Sequence, residues 1–394
     1  MIYLRQALNA LPYYFLEDLI QELLGKVSVP NRSAQVRLLA ETLERRETLR
    51  SLWDRLRKEE QEAVRLSLYN DGKLDLITYE AFYGEPPEKG FSGVYGYRRK
   101  SQYLKLFFLS GWELPVEMIE ILKEWVAPPE PFQPRGLPHL PQHVQGQRGE
   151  LPLSLVETEA VVWHDLSALL RMAQRGGLKI SETTRMPAAA AVRAMQKELL
   201  VLDYYALGDL ARAADTIRPI GLTFALQAGG LARVEGSLLV PTQAGLDFLN
   251  GPTPAGLRAA FECWLGESAL DEIRRVSALR GFQTAGVEFT DPAERRRAIL
   301  AALGRYRPGE WIEVEEFFKT IKLCGHNFLV EPKSSTSIQV HGYGLLDNAT
   351  YHTYWRAVNG QYILAVLMEY LAAFGAVDFA CIDPRQATYD LGTL

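Results

Sequence analysis

The sequence has little cysteine, and what it has is scattered. Cys263, Cys324 and Cys381 are the three thiols of a 394-residue chain. They are too few for a disulfide framework and stand in no C-x-x-C pair that would hold zinc, a usage that suits a reducing cytosol. No run of 18 apolar residues occurs, so no segment reads as a membrane span. The opening MIYLRQALNALPYYFLEDL is amphipathic and lacks the unbroken apolar stretch of a signal peptide. A cytoplasmic protein with no membrane partner is expected. Nucleotide chemistry has no visible cradle either: neither GxxxxGK[ST] nor GxGxxG is present, and HExxH is missing. Cys324-Gly325-His326 supplies two ligands where zinc takes three or four. An E-x-K fragment at Glu331 and Lys333, half of a restriction-type metal site, has no well-placed upstream carboxylate, although Glu313 and Glu316 stand nearby. The chain is read as non-enzymatic, with no cofactor and no metal.

An excess of positive charge is also absent. Lys and Arg number 43 against 48 Asp and Glu, a net charge of −5. Any nucleic-acid binding would need a local positive face on an acidic body.

Proline marks the clearest division. Residues 126–152, VAPPEPFQPRGLPHLPQHVQGQRGELP, contain seven prolines and read as an extended linker. Before it, residues 1–125 read as helical. LEDLIQELLG ends on Gly25 as a C-cap, Asn31 or Ser33 can cap the next helix, and Leu49, Leu52, Trp53 and Leu56 recur at three-to-four spacing. The loop FSGVYGYRR brings Phe91, Tyr95 and Tyr97 beside Arg98, Arg99 and Lys100. That set can stack on single strands, although aromatics plugged into their own core are the commoner arrangement.

After the linker the chain repeats a grammar. The helix DLSALLRMAQR is followed by Gly176-Gly177, a short LKIS strand and the alanine helix opened by Pro187. PIGLTFALQAGG follows, then two short strands around Glu235-Gly236 and the helix QAGLDFL. Helices followed by a small β-ribbon form the pattern of a winged helix, placed at 153–252. The pattern partly recurs in 253–394, as ERRRAILAALGRY, a strand, VEEFFKTIK, a loop of about 30 residues and a long helix. The expected fold is therefore mainly α with small β-wings: a helical N-terminal domain, a linker, and tandem winged-helix-like domains. The final IDPRQATYDLGTL reads as an extended tail, either docking a partner or belonging to a shortened chain.

The alanine helix carries the candidate site. Ala188, Ala191, Val192, Met195 and Leu199 share one helical face, leaving Arg193, Gln196 and Lys197 elsewhere. Thr183, Thr184 and Arg185 lie in the preceding turn. Arginine and lysine suit phosphates or guanine, glutamine suits adenine, and threonine suits backbone oxygens. Arg171, Arg175, Lys179 and Arg233 would hold phosphates. Between 171 and 233 nine Arg or Lys stand against five acids, a local balance of +4. A solvated face on a protein-binding winged helix would look the same, and the wing adds only Arg233 beside the acidic Glu235. Arg295-Arg296-Arg297 open another helix, where an anion is needed to offset the positive N-terminus. A phosphate could serve, but Asp291 or Glu294 is the simpler partner.

LLRMAQRGGLKISETTRMPAAAAVRAM, ALQAGGLARVEGSLLVPTQAGLDFL and YILAVLMEYLAAFGAVDFACIDP together resemble bacterial helicase-associated, multi-winged-helix proteins. Residues 10–125 are similar to the domain that precedes the motor in XPB-type helicases. The resemblance implies a DNA-binding accessory, sometimes encoded in phage-defence neighbourhoods and beside helicases, with Arg185 to Lys197 facing DNA. This chain departs from the pattern in having no helicase motor. The expectation is a non-catalytic subunit that binds duplex or forked DNA within a complex containing a helicase or nuclease. The alternatives are an interaction scaffold, or a transcriptional regulator, which would need a dimer.

Overall fold

The computed structural model describes residues 2–84, 103–146, 149–201, 203–204, 215–281, 287–333, 337–346, 351–383 and 386. The loop carrying Phe91 to Lys100 and most of the final tail lie outside the described residues. Two compact units divide the chain, Met1–Gln133 and Pro134–Leu394.

The first unit is helical: α1 Leu4–Ala10, α2 Tyr13–Leu24, α3 Arg32–Leu43, α4 Arg46–Trp53, α5 Lys58–Leu68, α6 Leu76–Tyr83, α7 Leu104–Phe107 and α8 Val116–Lys123. Local chemistry sets the ends. Gly25 stops α2 with φ +77, a conformation glycine adopts freely, and Asn31 Oδ1 accepts from the Ala34 N–H at 2.9 Å to open α3. Each helix buries one stripe, so that Leu8, Leu39, Leu49, Phe107, Met118 and Leu122 meet in a common core. Val126 belongs to that core rather than to a linker: it is buried, and the Tyr69 hydroxyl donates to its carbonyl at 2.7 Å.

The second unit opens with an antiparallel hairpin, β1 His143–Gly146 and β2 Gly149–Pro152. The proline-rich stretch is therefore partly ordered by pairing. Leu137 and Trp311 exchange backbone hydrogen bonds of 2.6 and 2.8 Å, and the Arg135 N–H donates to Glu316 Oε1 at 3.0 Å. Proline forbids helix but not docking through the residues between prolines.

Next come β3 Ser154–Val156, α9 Thr158–Gln174, α10 Ala189–Glu198, α11 Arg218–Ala228, β4 Ala232–Glu235, β5 Leu238–Pro241 and α12 Gln243–Asn250. β4 and β5 pair as expected, with Gly236-Ser237 as the turn, and an isolated bridge joins Lys179 to Leu238 at the edge of this two-stranded ribbon. Pro187 lies before the helix rather than in its first turn. It is buried and bridged to Ile180, and Ala188 is the N-cap, its N–H bonded to Lys179 O at 2.9 Å. The chain continues through α13 Pro254–Gly266, β6 Leu279–Arg280, α14 Pro292–Leu303, α15 Val314–Leu323, β7 Gln339–Val340, β8 Gly344–Leu345, α16 Tyr351–Trp355, α17 Gln361–Ala365 and β9 Phe379–Cys381. β6, β7 and β8 form an antiparallel sheet, and β7 and β8 lie inside the stretch expected to be loop. π-helical turns at Arg356–Gly360 and Val366–Leu371 extend α16 and α17 into one rod. The fold is mainly α with small antiparallel sheets.

Residues 153–252 and 253–394 share one core. β3 pairs with β9, and Asp378 Oδ1 accepts from the Thr158 N–H at 2.7 Å. α11 is buried on nearly every side, with Arg218 and Thr223 satisfied by internal hydrogen bonds. Phe224 and Trp264 stack on Tyr370, with centroids 6.2 and 5.8 Å apart. A Cβ on Gly221 would lie 2.2 Å from the Glu369 carbonyl oxygen, so only glycine permits this backbone approach. The division placed at 252 is bridged because α11, buried on nearly every side, is covered by α13 and the π-turn at Val366–Leu371 as well as by its own segment.

Candidate nucleic-acid interface

The expected site residues run from the end of α9 through a tight loop into α10. Arg171 and Arg175 lie four residues apart in the last turn and C-cap of α9, both exposed. Their charges also complement the negative helix end. Lys179 is exposed on the short strand that bridges to Leu238. On α10, Ala191, Val192 and Met195 face inward, and the Thr223 hydroxyl reaches Met195 Sδ at 3.6 Å. Ala188 is exposed at the cap and Leu199 only half-buried, so the buried stripe is shorter than its spacing suggested. Arg193 and Lys197, one helical turn apart, are exposed.

Gln196 is half-buried, with Oε1 fully enclosed and without a hydrogen-bond partner. That carbonyl is closed off from an adenine edge. Thr183 is exposed, and Thr184 Oγ1 accepts from the Met186 N–H at 3.4 Å, inside the turn. Arg185 has φ +61, one of two non-glycine residues with positive φ among the described residues. Arg185 N donates to Ser181 O at 2.8 Å, Ser181 N to Met186 O at 2.9 Å, and Gln227 Nε2 to Arg185 O at 3.0 Å.

Arg233 is engaged within the chain. Its Nε donates to Glu235 Oε1 at 2.7 Å, leaving the ribbon tip near neutral. Arg218, counted in the local positive balance, is buried and bonds Asp165 Oδ2 through Nε at 3.0 Å. In contrast, Arg171, Arg175, Lys179, Arg185, Arg193 and Lys197 form no ion pair among the described residues. The helix immediately before the ribbon, α11, is buried along its length. No signal in the local sequence separated Arg218 from the others; for Arg233 the acidic Glu235 two residues on was the signal. Asp165 is 53 residues away from Arg218, and only folding brings the two together.

The arginine triplet is likewise resolved. Arg295 and Arg296 are buried and only Arg297 is exposed. Their partners are Asp271 and Glu272 rather than Asp291 or Glu294. Arg295 Nη2 lies 2.6 Å from Asp271 Oδ1, and Arg296 Nε lies 2.8 Å from Glu272 Oε1. Asp291 instead caps α14 through the Ala293 N–H at 2.9 Å. Burial opposes the charge on both arginines, and the facing acids together with Tyr362 hold each pKa above its ordinary value. Burial also raises Glu369, against the pull of Arg275.

Elsewhere, Lys333 Nζ lies 3.9 Å from Glu288 Oε2. Among the described residues, no group of three or more His, Cys, Asp or Glu is placed to hold a metal ion, and no helix is long and apolar enough to cross a membrane. No protein-family model, no curated protein and no solved structure matches this chain.

Proposed function

We propose that this protein is a non-catalytic, DNA-binding subunit whose contact surface runs from Arg171 to Lys197. The observation that carries the reading is the set of six cations in that stretch, five exposed and Arg185 half-exposed, none paired with an acid among the described residues, on a chain of net charge −5. A polyanion is the complementary partner. The order α9, short strand, α10, α11 and β4–β5 ribbon is that of a winged helix, a fold used for duplex DNA and for protein docking alike. A second winged-helix-like arrangement around α14, α15 and the β6–β8 sheet belongs to the same reading. A helicase or nuclease as neighbour in the complex, and a role in phage defence, follow from the resemblance of the sequence.

Salt-dependent binding tests the reading. Arg193→Glu/Lys197→Glu reverses two exposed charges, so affinity for duplex DNA falls about 100-fold or more while the melting temperature stays put. Absence of duplex binding by the wild type at low salt overturns the proposal. The buried α11 and the self-paired Arg233 favour the second reading, a protein-docking scaffold. That reading predicts assembly with a partner protein that is indifferent to the double charge reversal in DNA assays.

A further inference from the structure

Resting on that DNA-binding reading, we infer that the surface grips the phosphate backbone of duplex DNA without reading bases, and that Arg185 is its anchoring cation. The helix before the ribbon, the glutamine carbonyl and the ribbon arginine are withdrawn from base edges. α11, which precedes the ribbon, is enclosed by α13 and the π-turn at Val366–Leu371, with Gly221 against the Glu369 backbone. The Gln196 carbonyl is buried, and Arg233 is held by Glu235. What remains outside is charge: two pairs at one-turn spacing, Arg171 with Arg175 and Arg193 with Lys197, plus Lys179, Arg185 and the Thr183 hydroxyl. Contacts from such charges to phosphates fix position and carry no sequence information, whereas a cation seated on a guanine edge would.

Arg185 stands apart from the other cations. Its φ of +61 lies in the left-handed region that glycine or asparagine occupies more readily. The loop holds it there with hydrogen bonds from both sides, including the Gln227 amide that fixes its carbonyl. Yet its half-exposed guanidinium makes no hydrogen bond or ion pair among the described residues. The strain is offset by nothing the side chain does within the chain, which points to an external anion as its partner.

The test uses the full chain, several labelled duplexes of unrelated sequence and two variants. Arg185→Gly removes charge and strain together, whereas Arg185→Gln removes charge alone. The duplexes should bind within about threefold of one another, as contacts confined to phosphates require. Both variants should weaken binding about five- to tenfold and lower the salt slope by about one. The melting temperature should rise for Arg185→Gly only. A preference of about 100-fold for one duplex, or wild-type affinity in both variants, overturns this inference and leaves the DNA-binding reading standing. No salt-dependent binding of any duplex by the wild type overturns both.

Discussion

Two sets of arginines in the C-terminal unit meet opposite fates. Arg218, Arg275, Arg295 and Arg296 are drawn inside or nearly so, each against an acid: Asp165, Glu369, Asp271 and Glu272. Arg171, Arg175, Arg185 and Arg193 have no such acid among the described residues and stay at the surface or half-exposed. The chemistry of the side chain is the same in both sets; the difference is the availability of a carboxylate once the chain has folded. Arg296 shows how complete the inner arrangement is. It bonds Glu272 at 2.8 Å, Trp264 O at 2.6 Å and Leu270 O at 2.7 Å, and lies over the Trp264 ring at 5.1 Å. Glu272 in turn accepts from Trp264 Nε1 at 3.0 Å and the Tyr362 hydroxyl at 2.9 Å. One set holds α13, α14 and α17 together. The other forms no ion pair among the described residues.

The largest expected effect comes from breaking the inner set. Arg296→Met leaves the Glu272 carboxylate buried without its countercharge, at a cost of about 3–5 kcal/mol. Urea unfolding should show this directly, and adding Glu272→Met should recover a large part, because no lone charge is then buried. Arg193→Met in the same assay should stay within about 0.5 kcal/mol of wild type. Equal losses at positions 296 and 193 would erase the distinction between the two sets.

An intermediate effect tests the residue that falls between them. Arg233 is exposed like the outer set but paired like the inner one, and a pair this exposed contributes little to stability. Glu235→Gln should therefore leave the melting temperature unchanged. By releasing Arg233 it should tighten duplex binding about two- to fivefold and steepen the salt dependence by about one. Unaltered binding would place the ribbon outside the contact surface.

The sequence showed those parts of this arrangement that depend on neighbours a few residues apart. The caps at Asn31 and Gly25, the inward face of α10 and the β4–β5 ribbon all follow from local spacing, and all are present. Pairings across long separations were invisible to it. Ser154 meets Cys381, Leu137 meets Trp311, and Arg296 meets Glu272 only because intervening helices place them together. For that reason the pairings within the linker, and the acids that enclose Arg295 and Arg296, were not foreseen. Among the candidate site residues, Arg193 and Lys197 were legible as an exposed pair at helical spacing. The positive φ of Arg185 and the burial of Arg218 against Asp165 were not, since neither a turn conformation nor a distant salt-bridge partner is fixed by composition.

The smallest effect concerns a cation that the fold resists creating. Burial first, and then the nearby charge of Arg305, hold the His326 pKa below its ordinary value. Its Nε2 is enclosed without a hydrogen-bond partner, and no acid pairs with it among the described residues. The folded chain therefore takes up this proton less readily than the unfolded chain. The stability His326 contributes is present while the ring is neutral, above the unfolded value of about 6.5, and is lost as pH falls through the folded value. Wild type should lose thermal stability faster than His326→Gln as the pH drops from about 7 to about 5. Parallel curves would mean that a positive charge is tolerated beside Arg305 without a carboxylate, which is the condition that the buried arginines of this unit never meet.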